Sequence, residues 1–164
     1  QLINLIENPK RVEYKELFWI IKGQKAIVEK MAAENKRCTK EILIVATLSK
    51  PFYINITILK ERIKRGVKVK IICTYDKNNC DMYKEYLEIG ASIRIFNHAK
   101  FGPSLPRIGI YDSKSARLTI GKPEIKDTEE YITLWTESKV FSRMLKSHFM
   151  NMWEQSKSIE KYLK

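Results

Sequence analysis

The sequence predicts an α/β fold, in which a mixed, mostly parallel sheet is flanked by helices and a long helix ends the chain. Three observations predict it. Apolar strand patterns alternate with amphipathic helix patterns from residue 17 to residue 96. Two short strands then flank an Asp-Ser-Lys-Ser turn at 112–115. The last segment, 138–163, repeats apolar residues at helical spacing. Because helices separate the early strands, most neighbouring strands are expected to run parallel.

The elements before residue 97 follow from apolar spacing and from the residues that interrupt it. The run at 41–47 is almost continuously apolar, as expected of a parallel strand covered on both faces. Pro51 suits the first turn of a helix with Ser49 as its cap, and Gly66 suits the left-handed end of that helix. The predicted elements are a buried strand at 17–22, a helix from 23, a strand at 41–47, a helix from 51, a strand at 67–73, a short helix capped by Asn78 or Asn79, and a strand at 92–96.

The pattern changes after residue 96. The segment 97–106 is rich in Gly and Pro and is predicted to be a loop. Ser138 is predicted to cap the final helix, whose apolar stripe runs from Phe141 to Leu163. The elements between them are hairpin strands at 107–112 and 116–120, a polar loop at 121–129 and a last strand at 131–136. Part of the final helix must cover the sheet, which leaves the rest free to pack on another chain.

Length and composition are those of a single folded domain. With 164 residues and 44% hydrophobic side chains, the chain can bury a full core. Asn8-Pro9 ends an apolar helical pattern, so residues 1–8 are predicted to be the tail of an upstream helix and residues 9–164 the domain; the family resemblance described below implies that this helix is a linker. The sequence does not begin with methionine, and we expect it to be part of a longer protein. Its apolar runs are too short to span a bilayer, so no membrane partner is expected.

Cysteine and histidine are too few and too scattered to predict a cofactor site. Cys38, Cys73 and Cys80 lack C-x-x-C spacing, which favours reduced thiols in a cytoplasmic protein. His98 and His148 are too far apart in sequence to suggest a zinc site. We therefore expect no metal and no cofactor.

The net charge of +12, from 31 Lys and Arg against 19 Asp and Glu, suggests phosphate neutralisation. The basic residues are nevertheless spread over the whole chain, and the densest segment is 60–70. There Lys60 and Lys64 share a helix face, and Arg65 lies four residues after Glu61, where the two can pair. A solvated helix face is the favoured interpretation, and Lys60, Lys64 and Arg65 are the candidate nucleic-acid contacts.

The segment RIGIYDSKSARLTIG, at 107–121, resembles the active-site frame of phospholipase D-type enzymes, whose strand reads H-x-K-x4-D. Counting back from Asp112 places Leu105 at the histidine position and Arg107 at the lysine position. Leucine can neither attack phosphorus nor accept a proton, so we expect that the protein is not an enzyme. His98-Ala99-Lys100 also reads H-x-K, although Leu105 stands at its aspartate position. A weak phosphodiesterase or nuclease that uses His98 is the enzymatic alternative.

Arg107 is the strongest candidate for ligand binding. In one interpretation it pairs with Asp112 or with a backbone group; in the other its guanidinium binds an anionic ligand. Ligand crevices in open α/β sheets lie beyond the carboxyl ends of the strands. The candidate ligand-binding residues are therefore Arg107, Asp112, Thr47, Thr74, Tyr75, Asn97 and His98.

Three parts of the chain resemble the effector domain of TrmB-like transcriptional regulators, which are chiefly archaeal. They are 18–47, the middle strands KRGVKVKIICT and LEIGASIRIFN, and the final strand and helix at 131–156 with its turn LWTES. The resemblance covers roughly residues 9–158. It implies a phospholipase D-like domain without catalytic activity, which forms homodimers and reaches DNA through a winged-helix domain absent from this chain.

Three functions remain open on this basis. The lead hypothesis is a regulatory and dimerisation domain of a cytoplasmic transcriptional regulator, with a small-molecule effector as a further partner. The alternatives are a weak phosphodiesterase or nuclease of phospholipase D-like fold and a module that binds nucleic acid directly.

Overall fold

The computed structural model describes residues 17–48, 55–120 and 131–164. The predicted linker helix at 1–8, the start of the domain at residue 9, the Ser49 cap with the first turn at Pro51, and the polar loop at 121–129 lie outside the described residues.

The described part of the chain forms eight strands and five α-helices. In chain order these are β1 (Phe18–Lys22), α1 (Gln24–Arg37), β2 (Glu41–Val45), α2 (Ile56–Lys64), β3 (Lys68–Cys73), α3 (Cys80–Glu88), β4 (Ser92–Ile95), α4 (His98–Phe101), β5 (Ile108–Tyr111), β6 (Ser115–Ile120), β7 (Ile132–Thr136), α5 (Lys139–Glu154) and β8 (Lys157–Ser158). The short helix α4 lies within the segment predicted to be a loop, because the Asn97 side chain accepts a hydrogen bond from the Lys100 amide and caps its first turn. None of these helices is long and apolar enough to cross a membrane.

All eight strands belong to one sheet, in the order β1-β7-β6-β5-β2-β3-β4-β8. The prediction of a mostly parallel sheet is wrong, since only β2–β3 and β3–β4 are parallel pairs and the other neighbours are antiparallel. Helical crossovers join β2, β3 and β4, which is why that part is parallel. The β5–β6 hairpin and β7 extend the sheet from the other side of β2, and they separate β1 from β2.

Helices cover both faces of this sheet. On one face α1, α2 and α3 enclose a core that contains Ile42, Ile44 and Ile71. On the other face α5 packs over Leu43, Val45 and Ile72. Successive residues of β2 therefore enter opposite cores, which explains the nearly continuous apolar run at 41–47.

Strand β1 lies at the edge of the sheet and was wrongly predicted to be buried. Its only strand neighbour in the described part is β7, and Phe18 and Ile20 are 44% and 67% exposed. Trp19 and Ile21 point to the core on the α1 side and are half-buried. The exposed face of β1 meets the start of α5, where the Phe18 and Phe141 rings lie 5.4 Å apart.

Helix α5 begins as predicted and ends earlier than predicted. The Ser138 side chain accepts a hydrogen bond from the Phe141 amide at 3.2 Å, which caps the helix. The predicted continuation to Leu163 is wrong: α5 stops at Glu154, β8 pairs with β4, and Ile159 is buried in the core on the α1 side. The Arg94 guanidinium donates to the Trp153 carbonyl at 2.7 Å and the Asn97 amide donates to the Gln155 carbonyl at 3.0 Å, so β4 and its extension hold the end of the helix.

Candidate ligand-binding cavity

A cavity of about 250 Å³ lies beyond the carboxyl end of β2, between the sheet and helices α1 and α2. Its apolar lining includes Ile27, Met31, Ile44, Leu59 and Ile71. Polar side chains line the rest, namely Thr47, Asn55, Arg107, Arg117, Thr119 and Tyr131. We call it the arginine cavity, because two guanidinium groups face one small, largely apolar space.

Arg117 is the least expected of these residues. It lies on the central strand β6 and is only 5% exposed. Its Nε donates to the Tyr111 hydroxyl at 3.1 Å and one terminal nitrogen donates to Thr119 Oγ1 at 3.2 Å. No Asp or Glu among the described residues forms an ion pair with it. A buried guanidinium is usually paired with a carboxylate. Among the described residues, the hydrogen-bond partners of Arg117 are instead the neutral side chains of Tyr111 and Thr119.

The neutral partners of Arg117 are themselves fixed in the core. Burial raises the pKa of the Tyr111 phenol, an effect that the Arg117 charge partly opposes, so Tyr111 stays protonated and its oxygen accepts from the guanidinium. Thr119 Oγ1 lies 3.2 Å from Thr133 Oγ1 on the next strand. Among the described residues Glu34 on α1 is the one buried carboxylate, and it is occupied by Lys30, Arg37 and Ser115.

Gly109 makes room for this arrangement. A Cβ at that position would lie 2.7 Å from the Tyr111 hydroxyl and 2.8 Å from Arg117 Nε. Both distances are shorter than any real Cβ contact, so only glycine lets the two side chains meet above β5.

Arg107 reaches the same cavity from the residue before β5. Its carbonyl accepts a hydrogen bond from the Thr119 amide at 2.9 Å, which holds the backbone beside β6. Its guanidinium lies 5.6 Å from the centre of the Tyr131 ring. Of the predicted ligand-binding residues, Arg107 and Thr47 line the arginine cavity.

Asp112 lies at the opposite end of β5 from Arg107, so the predicted Arg107–Asp112 pair does not form. The two residues flank β5 at its two ends. Asp112 accepts hydrogen bonds from the amides of Thr39, Lys40 and Glu41 at 2.8, 2.8 and 2.9 Å. Burial alone would raise the Asp112 pKa, but these amide hydrogen bonds outweigh it and the pKa is lowered. Asp112 therefore anchors the α1–β2 connection.

Thr74, Tyr75, Asn97 and His98 lie beyond the carboxyl ends of β3 and β4, as predicted, but outside the arginine cavity. The Thr74 carbonyl accepts from the Tyr83 hydroxyl, and the Tyr75 ring packs 5.2 Å from that of Tyr162. Asn97 caps α4 and holds the end of α5. His98 Nδ1 lies 3.1 Å from the carbonyl of Gly102, the residue that follows α4. These contacts hold the four residues within the fold, and their role in ligand binding stays a prediction.

The His-x-Lys register is not reproduced at Leu105 and Arg107. Leu105 packs into the apolar cluster on the α5 face, whereas Arg107 faces the cavity on the α1 side. The second H-x-K match does not form a strand either, because His98 begins helix α4. His98 follows the carboxyl end of β4 and Asp112 lies beside the start of β2, so the two residues are at opposite ends of the strands.

The nucleic-acid candidates lie on α2 and just after it, away from the arginine cavity. Lys60 and Lys64 are exposed, and Arg65 pairs with Glu61 at 3.0 Å, as its spacing predicted. The contacts among the described residues are those of a solvated helix face.

Sequence reasoning missed Arg117, Asn55, Thr119 and Tyr131. One signal was available for Arg117, since a charged residue between apolar Ala116 and Leu118 on a predicted central strand must face a core or a cavity. Asn55 gave no comparable signal, because nothing in the sequence indicates that it is buried.

Comparisons with known proteins identify the family. The family model described as "Transcriptional regulator TrmB, EBD N-terminal subdomain" matches residues 17–160. A comparison with curated proteins found no match. Among solved structures, the chain is similar to TrmBL2, an archaeal chromatin protein, with a TM-score of 0.67 and 18% identity over 95% of this chain and 59% of that one. This chain therefore spans a little over half the length of that relative.

Two further structures share the fold with lower or equal identity. Nuc from Salmonella typhimurium, a phospholipase D family member, gives a TM-score of 0.66 at 12% identity and covers 86% of this chain and 97% of its own. NucT from Helicobacter pylori gives 0.66 at 18%, with 86% and 98% covered. The expected phospholipase D-like fold is confirmed, apart from the direction of most strand pairs. Since the family model spans most of the sequence, the chain belongs to the TrmB family of transcriptional regulators and corresponds to the N-terminal subdomain of the family's effector-binding domain.

Proposed function

We propose that this domain is the sensing part of a transcriptional regulator and that it binds a small organic anion in the arginine cavity. The observation that carries the proposal is the buried Arg117 charge, which borders the cavity and has no carboxylate partner among the described residues. An anion would supply the charge that the described core does not supply.

Two other polar groups support the same ligand class. Arg107 brings a second guanidinium to the cavity, and paired guanidinium groups suit carboxylate or phosphate oxygens. Asn55 is 3% exposed, and its Oδ1 accepts a hydrogen bond from Asn35 Nδ2 at 3.3 Å. Its Nδ2 donor, like Asn35 Oδ1, has no partner among the described residues. Buried donors without partners are uncommon and are expected where a ligand supplies the acceptor.

The apolar lining defines the rest of the ligand. Ile27, Met31 and Leu59 form a surface that favours an aliphatic or aromatic body over a heavily hydroxylated one. The volume of about 250 Å³ limits the ligand to a small metabolite. We therefore infer an organic acid or phosphate ester with an apolar body, in preference to a neutral sugar.

We infer no catalytic role. Leu105 is turned away from the arginine cavity, and His98 and Asp112 are separated by the length of the strands. Hydrolysis of a phosphodiester through a covalent intermediate needs a nucleophile at the cavity, and the described lining contains no His, Cys or Asp.

The regulatory role requires partners that belong to the proposal. We place DNA recognition in another part of the protein and expect the regulator to work in the cytoplasm as a homodimer. Exposed apolar residues on β1 and the start of α5 support a second copy of this chain as the partner; they are Phe18, Ile20, Val140 and Met144. The anion can regulate only if it binds two dimer geometries with unequal affinity.

Thermal unfolding and calorimetric titration test the ligand class. The probes are hexanoate and phenyl phosphate as organic anions, inorganic phosphate as an anion without an apolar body, and maltose as a neutral sugar. We expect the two organic anions to raise the melting temperature and to bind more tightly than inorganic phosphate, and maltose to have no effect.

The matched variants are Arg107→Met, which removes one cavity charge, and Arg65→Met, which removes an exposed charge. Arg107→Met should weaken the binding of phenyl phosphate at least tenfold, because a charge-assisted hydrogen bond contributes about 1.5–3 kcal/mol. Arg65→Met should leave it unchanged. Equal binding by both variants, or binding of maltose alone, would refute the proposed ligand class.

A further inference from the structure

A second concave surface lies at the other end of the strands from the arginine cavity, where β2 and β3 begin. It is an open cleft of about 560 Å³ between these strand ends, the β5–β6 turn and α5. Six cations line it, namely Lys40, Lys68, Lys114, Lys139, Arg143 and Lys146. We call it the basic cleft. Its residues come from distant parts of the sequence, which is why no basic segment predicted it.

Most of this positive charge is not neutralised within the described part of the protein. Two carboxylates, Glu41 and Asp112, line the cleft. Glu41 pairs with Lys146, and Asp112 is occupied by backbone amides. The five other cations form no ion pair with any described residue. Their side chains are exposed, so they can move to contact a partner.

The arrangement on α5 works against the stability of the isolated domain. Lys139, Arg143 and Lys146 are spaced four and three residues apart and therefore share one helix face. Lys139 is the first residue of the helix, where the peptide dipoles already place partial positive charge, and the first turn contains no acidic residue. Like charges at this spacing are mutually repulsive, and an anionic partner relieves that repulsion.

The shape and composition of the cleft favour a polymer over a small anion. The cations are exposed lysines and one arginine spread around an open surface, whereas the arginine cavity is small and buried. The described residues that line the cleft are all charged or polar. Such a surface suits the regularly spaced phosphates of a nucleic-acid backbone.

We propose that the basic cleft binds the phosphodiester backbone of duplex DNA without reading its bases. The choice of DNA rests on the proposed regulatory function; the polyanion site itself rests on the geometry. Leu17, the residue before β1, lies at the same end of the strands as the basic cleft, because its carbonyl accepts a hydrogen bond from the Glu137 amide just before α5. The cleft would add sequence-independent affinity to that of a separate DNA-reading domain, and it would hold the sensing domain close to the duplex.

Fluorescence anisotropy with a labelled duplex of arbitrary sequence tests the proposal on the 164-residue chain. The cleft variant is the triple substitution Lys114→Gln, Lys139→Gln and Arg143→Gln. The control is Lys60→Gln, Lys64→Gln and Arg65→Gln, which removes the same charge from the exposed end of α2. Circular dichroism of each variant checks that it is folded.

We expect the unaltered chain to bind duplexes of different sequence equally, with a log–log salt slope near −5, since each neutralised phosphate contributes about −0.9. The cleft variant should bind at least tenfold more weakly, with a slope shallower by nearly three. The control variant should retain the original slope. Equal losses in both variants, or no binding at about 50 mM salt, would overturn the proposal.

Two competitors separate DNA from other polyanions. Polyglutamate or single-stranded RNA that displaces the duplex at lower concentration than unlabelled duplex would also overturn the assignment. Titration of phenyl phosphate into the cleft variant keeps the two proposals distinct, because the arginine cavity is unaltered. Loss of DNA binding with normal anion binding supports the cleft, whereas DNA binding without anion binding contradicts only the proposed effector.

Discussion

Replacing Arg117 by methionine separates a ligand-binding role for this residue from a structural one. Methionine has a similar length and no charge, so it can fill the same space beside Ile44 and Thr119. The substitution removes two hydrogen bonds, to the Tyr111 hydroxyl at 3.1 Å and to Thr119 Oγ1 at 3.2 Å. It also removes a charge that is 5% exposed and has no carboxylate partner among the described residues.

Losing the two hydrogen bonds lowers the free energy of unfolding, and removing the buried charge raises it by a similar amount. Hydrogen bonds from a charged donor contribute about 1.5–3 kcal/mol each, and desolvating an ion costs several kcal/mol. The ligand-free Arg117→Met domain should therefore unfold within about 1 kcal/mol of the original in urea. Anion binding should fall much more, because losing a charge-assisted pair of about 3 kcal/mol corresponds to a weakening of roughly a hundredfold.

Urea unfolding with and without phenyl phosphate measures both quantities on the same protein. The original domain should gain stability with added phenyl phosphate and the Arg117→Met domain should gain almost none. Arg65→Met, which removes an exposed arginine, should behave like the original. A loss of more than about 3 kcal/mol without ligand, together with unchanged phenyl phosphate affinity, would show that Arg117 is a structural residue and does not bind the anion.

Three further predictions concern the surroundings of the arginine cavity, Asp112 at the other end of the strands, and the dimer. Gly109→Ala should lower the free energy of unfolding in urea by about 1–3 kcal/mol and also weaken anion binding, because the new methyl group would displace Arg117. Unchanged anion binding would contradict this prediction. The stabilising contribution of Asp112, whose pKa is lowered on folding, should be present above its ordinary pKa of 3.8 and disappear as the pH falls through the lower folded value. Asp112→Asn should be less stable at neutral pH and lose less stability on acidification, as urea midpoints between pH 7 and pH 3 would measure; equal pH profiles would exclude this role. In sedimentation equilibrium, Ile20→Lys should shift the chain towards monomer and Thr57→Lys, on exposed α2, should not; a monomeric original chain would remove the dimer proposal.

The local sequence pattern predicted most of the helices and strands, because apolar spacing and capping residues are signals carried by neighbouring positions. The strands β2, β3 and β4 and the helices between them follow from apolar spacing. Gly66 and Gly90 end α2 and α3 with φ of +91° and +99°, and Ser138 caps α5. The degenerate strand motif drew attention to Arg107, which lines the arginine cavity, and its role in ligand binding stays a prediction.

Long-range pairing could not be predicted in the same way. Strand β1 has the composition of a core strand, and only its pairing with β7 places it at the edge of the sheet. The apolar stripe of α5 continues past Glu154, but contacts from Arg94 and Asn97, about 60 positions earlier, end the helix. Arg117 and Arg107 are brought to one cavity by the antiparallel β5–β6 pairing. The six cations of the basic cleft converge only in the folded sheet.

The most direct test of the central claim is an anomalous diffraction measurement on crystals of the chain soaked with 4-bromobenzoate. This anion has a carboxylate for the guanidinium groups and a bromine that marks the position of its apolar end. We expect a bromine peak beside Ile27 and Leu59, with the carboxylate between Arg107 and Arg117. A bromine peak only in the basic cleft, or none within the protein at a saturating concentration, would contradict it.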